Sequence, residues 1–511
     1  MLGWSNKSLI CRRNSVGEST QPWRTPASMG KPNKAPQQDP IQNAIGSVGK
    51  YQLFLIIVIF MSKFPIAFHQ MAIIFLAPKV EFTCNGVSNA CPCPNPVYDR
   101  SIFTNTIIME WNLICERKWL TSFSQTLFQA GTLLGSVFFG MASDRKKPLL
   151  VAVVLQVSMG IVTAYAPSYW TFNFVRFLIG LSVGGTMVIT FVLLMEFIGT
   201  SNRDLISALY QTPFNVGHMM LPLLAYFYRD YSHYQLSLSI PTISLLLYFC
   251  LLSESPRWLI AVKRTDEKNT VYATVKLLTP LDYNLSRYVF PLCSARAKEK
   301  NKLKKGTILD LFRTPNLRKN IIAMSFNWLT CSYCFYGISQ YVGQLSGNVF
   351  VNVAASASVA LLGTLSSIPV MKIIGRKTIL ILANFTCAIC LLILAALPEG
   401  VGSVVCACVG VISSFLVFVI VYLYCSELFP TVVRNAALGF SSMMARVGSM
   451  IAPFVIDLRD IALWMPPVCF AIIPLMAGFI TFLLPETKGC ELMTTIEEGE
   501  QFGKKKSVNI A

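Results

Sequence analysis

Runs of about 20 apolar residues recur along the chain between short polar turns, the length an α-helix needs to cross a hydrocarbon layer about 30 Å thick. Twelve such spans stand out, numbered here in chain order: 51–77, 122–142, 148–166, 168–196, 204–228, 235–253, 320–344, 348–371, 378–397, 401–425, 435–457 and 461–484. Four polar stretches remain, at 1–50, 78–121, 254–319 and 485–511. The pattern predicts an all-α membrane protein with two six-helix bundles, 51–253 and 320–484, joined by the 254–319 loop. The tail over 1–50 is rich in Pro, Ser, Asn, Gln and Lys and lacks a signal-type apolar core, so it reads as a disordered, uncleaved tail.

Composition agrees with a lipid environment: 54% of the residues are hydrophobic, 13% are charged, and mean hydropathy is +0.55. A net charge of +18 would point to nucleic acid in a soluble protein, but here the charges flank apolar runs and form no stripe, which excludes that partner. Instead the charge fixes orientation. Of the 43 Lys and Arg residues, 34 lie in the tails, the 254–319 loop and the turns on that side. Only six (Lys79, Arg100, Arg117, Lys118, Arg229, Arg459) lie on the other, so both termini and the middle loop are expected in the cytosol and 78–121 outside. The basic run Lys298 to Lys305 in the middle loop follows from the same bias.

Cys84, Cys91, Cys93 and Cys115 lie in the outer loop, where oxidation is permitted, and allow one or two disulfides in any of three pairings. A zinc site there is weaker, because the loop has no histidine. The Cys331/Cys334 and Cys387/Cys390 pairs fall inside spans, where packing is the better account. His69, His218 and His233 are too scattered for a metal cluster, and no nucleophile–base pair or phosphate loop suggests an enzyme or a cofactor.

The charges at the cytosolic ends repeat. Asp144-Arg145 after span 2 answers Gly375-Arg376 after span 8, with Arg145 and Arg376 231 apart. Glu196 and Arg203 after span 4 answer Glu427 and Arg434 after span 10, again 231 apart. Glu254 after span 6 answers Glu486 after span 12, 232 apart. Matched charges on one membrane face imply two parallel halves about an axis along the membrane normal, as in secondary transporters. Ion pairs among Asp144, Arg145, Glu196, Arg203, Arg376, Glu427 and Arg434 are expected to hold a cytosolic gate, the alternative being simple anchoring at the headgroups.

Several strings resemble a known family. Thr106 to Cys115 with Trp119-Leu120, Glu254-Ser-Pro-Arg-Trp-Leu259, Ser426-Glu-Leu-Phe-Pro430 through Arg434-Asn435, and Pro485-Glu-Thr-Lys-Gly489 are similar to signatures of solute carrier family 22, the organic cation, organic anion and carnitine transporters of the major facilitator superfamily. The resemblance covers nearly the whole chain from residue 51. It implies a twelve-helix fold, alternating access at the plasma membrane without ATP hydrolysis, and a central cavity lined mainly by spans 1, 4, 7 and 10 with help from 2, 5, 8 and 11. Two departures stand out: Asp144-Arg145 runs straight into Lys146-Lys147-Pro148, as if three residues of the family's loop were missing, and the outer loop is short and has no Asn-x-Ser/Thr sequon. The shortened loop makes a non-transporting receptor or scaffold of the same fold the alternative function.

No acidic residue falls near the middle of a span, whereas Lys63, Arg176 and Arg446 do, and charges at that depth cost roughly 2.5 to 3.5 kcal/mol unless they face a cavity or partner. Arg446, halfway along span 11 in Ala445-Arg446-Val447-Gly448-Ser449, resembles an Arg-x-Gly-Ser string of the family's anion and carnitine carriers. Its planar fork suits a carboxylate, the alternative being a structural arginine. Lys63 and Arg176 divide between substrate binding and structure, since a lysine snorkels and Arg176-Phe-Leu-Ile-Gly180 resembles a superfamily packing motif. Trp328, Phe335 and Tyr336 on span 7, with Phe418 and Tyr422 on span 10, are spaced to share helix faces and to hold amines or flat apolar groups, or simply to pack. A small organic ion and the bilayer are the expected partners; oligomeric state is left open.

Overall fold

The computed structural model describes residues 50–141, 146–198, 203–252, 308–490, 493 and 495–503. The 1–49 tail, Asp144, Arg145 and residues 254–307 of the middle loop lie outside the described residues, as do the side chains of Glu196 and Arg203.

Helix occupies part of every predicted span, and among the described residues nine helices are long and apolar enough to cross a membrane. The Trp119–Met141 helix of span 2 is not one of them, because its Gln125, Gln129 and Thr132 are polar residues buried against neighbouring helices. Three spans expected to be continuous are broken. Span 1 is Lys50–Met61, Lys63–Met71 and Ile73–Leu76, with Ser62 Oγ donating back to the Ile59 carbonyl (2.7 Å) at the first break. Span 5 is Arg203–Leu209 and Thr212–Phe227, restarting with Pro213 in its first turn, where a missing N–H costs nothing. Span 6 starts earlier, at Tyr231, and runs as Tyr231–Ser239, a 3₁₀ turn Pro241–Leu247 and Tyr248–Leu251. Spans 3 and 4 are the helices Lys146–Ala164 and Tyr169–Phe197, and spans 7 to 12 are the helices Pro315–Val342, Val349–Ile373, Arg376–Ala396, Val401–Leu428, Arg434–Asp457 and Met465–Thr481.

Span 2 packs on spans 4 and 11, span 5 on spans 1 and 8, and span 7 on spans 10 and 11. Exchanging the first six spans for the last six turns the 2–11 contact into the 8–5 contact, so the two seams between the helix groups are equivalent. Small residues set the separations. A Cβ on Gly448 of span 11 would overlap the Leu329 carbonyl of span 7, and one on Gly217 of span 5 would press on Phe64 of span 1. These glycines are 231 apart (448 − 217), the offset of the repeated helix-end charges.

The outer loop folds as a three-stranded antiparallel sheet, Val87–Ser88, Phe82–Cys84 and Val97–Tyr98 in spatial order. Disulfides Cys84–Cys93 and Cys91–Cys115 tie it together. Trp111 anchors it over the helices, its ring 5.0 Å from Phe172 and 5.8 Å from Tyr231. The outer ends of the two helix groups are joined by several contacts: a Lys118–Asp460 ion pair, Ser122 Oγ donating to Pro453 O (3.1 Å), Thr126 Oγ1 donating to Met450 O (2.9 Å), and Phe75 stacked on Phe350 at 5.8 Å.

Candidate functional site

Span 7 carries one face of the candidate site. Tyr336, Phe335 and Trp328 are all buried, and their rings continue into span 10: Phe335 meets Phe415 at 5.1 Å, Phe415 stacks on Phe418 at 5.8 Å, and Phe418 meets Tyr422 at 5.5 Å. Tyr422 in turn stands edge-on to Trp328 at 4.3 Å. The aromatic pairs read from helical spacing thus form one continuous surface, which Phe191 of span 4 (6.0 Å from Tyr422) and Phe214 of span 5 (6.3 Å from Phe335) extend across the seam.

Two cations face that surface. Arg446, only 4% exposed, donates from one terminal nitrogen to Met187 Sδ of span 4 (3.6 Å), while its Nε and other terminal nitrogen are buried without a partner. It interacts electrostatically with the Tyr336 and Tyr422 hydroxyls and with Lys63. The close span 7–span 11 approach at Gly448 brings it there. Lys63 follows the Ser62 break and rests its ammonium 3.8 Å from the centre of the Tyr210 ring, a cation–π contact. No carboxylate pairs with either cation among the described residues.

Arg176 stands apart from this group. It donates to Gln125 Oε1 of span 2 (3.0 Å) and lies over Phe128 and Phe172 at 5.1 and 5.7 Å, within the first six spans. Sequence reasoning missed Gln70, Tyr210, Met187 and Gln125. Gln70 Nε2 donates to Tyr336 Oη (2.6 Å) across the seam, its Oε1 is buried without a partner, and its carbonyl accepts from Gln125 Nε2 (3.3 Å). A glutamine amid the apolar residues of span 1 was the available signal.

At the helix ends opposite the 78–121 loop, Arg376 pairs with Glu427 (3.1 Å), whose other oxygen accepts from Thr487 Oγ1 (2.6 Å). Glu486 caps the start of span 9, accepting from the backbone N–H of Arg376 (2.9 Å) and Lys377 (3.2 Å). Arg434 Nε donates to the Phe429 carbonyl (3.3 Å). The Arg376–Glu427 pair therefore ties span 9 to span 10 on one side of the seam. Both side chains are under one-fifth exposed, so the pair is worth more than a surface bridge. Glu427→Gln should lower the uptake rate per molecule at the cell surface about tenfold, and the exchange Arg376→Glu with Glu427→Arg should recover part of it. Equal uptake by Glu427→Gln and wild type would show the pair to be a passive anchor.

A helical membrane protein gathering buried aromatic and cationic side chains at the meeting of its central spans has the build of a major facilitator transporter. Residues 52–498 match the sugar (and other) transporter family. The chain is 31% identical to an organic cation transporter-like protein of Drosophila melanogaster, with 91% of this chain and 93% of that protein covered, and 33% identical to human solute carrier family 22 member 16, with 82% and 74% covered. A partially occluded inward-open structure of the xylose transporter XylE from E. coli superposes with a TM-score of 0.66 at 16% identity, over 87% of this chain and 100% of that one, which shows a shared fold. The chain belongs to this transporter family and, within it, to solute carrier family 22, as a multi-pass membrane protein.

Proposed function

We propose that the chain carries small organic ions across the plasma membrane by alternating access of two six-helix halves, with both termini in the cytosol, and that its central site favours organic anions or zwitterions such as carnitine. The observation that carries the preference is the juxtaposition of Arg446 and Lys63 with no carboxylate paired to either among the described residues. A substrate cation about 6 Å from either one meets roughly 3 kcal/mol of repulsion at an effective dielectric near 20, and an anion gains about as much. Each aromatic face returns only about 0.5 to 2 kcal/mol to a cation. Two cations at that distance therefore cost a substrate cation about 6 kcal/mol, which at least three well-placed aromatic faces would have to repay. A carboxylate on Arg446 leaves the flat or aliphatic remainder of the molecule on Trp328, Tyr336, Phe418 and Tyr422.

The cation reading has one specific support, the names of relatives such as the organic cation transporter protein of Drosophila melanogaster. The same names, all of carriers, weigh against a receptor or scaffold. Because the outer ends are joined, we read this state as closed to the outside, with substrate exchange on the cytosolic face.

The test is uptake in voltage-clamped cells of a labelled organic cation, an aromatic anion and carnitine. Saturable uptake of the anion or carnitine at least tenfold above that of the cation is expected. Cation uptake driven by inside-negative voltage, with no anion flux, would reverse the preference. Saturable binding without flux of any of the three would return the receptor reading.

A further inference from the structure

A second group of buried polar atoms lies among spans 1, 4 and 6, away from the aromatic surface. Arg176 Nε, Tyr234 Oη and His69 Nε2 are each buried and without a hydrogen-bond partner, on side chains no more than 2% exposed. The Arg176 charge acts on both His69 and Tyr234, and span 1 packs on both span 4 and span 6. Gly160 of span 3 makes room for the imidazole: a Cβ there would stand 3.3 Å from His69 Cε1 and 2.8 Å from Ser239 Oγ. Tyr234 is held edge-on to Phe75 at 6.0 Å. On the outer side Trp111 covers the group through Phe172 and Tyr231.

A guanidinium at this depth carries a full charge out of water, and none of the described carboxylates pairs with it. Gln125 and the faces of Phe128 and Phe172 offer it partial compensation without neutralising it. The three spare atoms are all able to donate: a guanidinium N–H, a phenol O–H and, in one tautomer, an imidazole N–H. Three buried spare donors, two of them under the field of one uncompensated guanidinium, suit a small monovalent anion.

We propose that Arg176, Tyr234 and His69 form a binding site for a halide, chloride being the abundant one, distinct from the substrate site at Arg446. The ion would neutralise Arg176 in place. It would also bear on transport, because Arg176 holds Gln125, Gln125 holds the Gln70 backbone, and Gln70 reaches Tyr336 in the substrate site.

The experiment is a thermal-unfolding titration of the purified full-length protein in lipid nanodiscs, with sodium chloride replacing sodium gluconate at constant ionic strength. Wild type should gain melting temperature with chloride along a saturating curve. Tyr234→Phe, which removes one donor and leaves the ring packing, should shift the midpoint at least about tenfold to higher chloride. Arg446→Ala should leave the midpoint within about twofold of wild type. Should Tyr234→Phe fail to fold, His69→Phe takes its place with the same expected shift. A flat titration in wild type would overturn the proposal and leave water as the partner of these atoms. A midpoint moved by Arg446→Ala as far as by Tyr234→Phe would overturn it by placing the ion in the substrate site.

Discussion

Arg446→Ala should abolish saturable uptake of organic anions or carnitine while leaving the amount of protein at the cell surface unchanged. Truncating one partner of a buried, hydrogen-bonded charge pair costs about 2 to 5 kcal/mol, or roughly 30- to several-thousand-fold in transport efficiency at limiting substrate. Folding should be spared, because the guanidinium's contacts are the weak donation to Met187 Sδ and the Tyr336 hydroxyl, and removing it takes away a buried charge that no described carboxylate balances. Arg446→Lys should retain part of the uptake with a raised KM, since an ammonium keeps the charge and loses the two-pronged geometry. Uptake normalised to surface protein, measured with all three probe substrates, checks this. Normal anion flux in Arg446→Ala would make the arginine structural and leave recognition to Trp328, Phe418 and Tyr422.

Much of this site was legible because a membrane simplifies the reading. A charged residue amid some 20 apolar ones stands out, so Lys63, Arg176 and Arg446 were visible at once. Depth in the membrane is a one-dimensional property of the sequence, whereas the direction a residue faces is not. Arg176 sits at a depth like the others, and only its partners Gln125, Phe128 and Phe172 place it inside the first helix group. Helical spacing put Trp328, Phe335 and Tyr336 near one another, but the contact with Tyr422 depends on how spans 7 and 10 cross. The breaks at Ser62 and at Tyr210-Gln211 were missed because a window of 20 residues averages over one turn. Pro213 and Pro241 marked the second and third of the broken spans, since proline favours the first turn of a new helix.

The largest effect on stability is expected from Gly135→Leu or Gly184→Leu, either of which should prevent a folded protein from reaching the surface. Spans 2 and 4 carry glycines four residues apart, Gly131 and Gly135 on one and Gly180 and Gly184 on the other. A Cβ on Gly131 would overlap the carbonyl of Phe177, one on Gly135 that of Leu181, one on Gly180 that of Phe128, and one on Gly184 that of Thr132. The two backbones are therefore in direct contact along one stripe, each helix supplying the notch for the other, which is how helices associate where lipid removes the hydrophobic drive. An added side chain meets rigid main chain, so the helices must separate, and the Arg176–Gln125 bond and the seating of Arg176 on Phe128 go with them. Overpacking by a methyl or two costs about 1 to 3 kcal/mol where side chains yield. Here nothing yields, so even Gly135→Ala should cost at least about 3 kcal/mol, a large share of a total near 5 to 15. Gly439→Ala on span 11 is the control, because the space around its Cβ is open. Surface labelling and melting temperature should separate the two classes; a Gly135→Leu protein that melts like wild type would mean that spans 2 and 4 do not touch through these glycines.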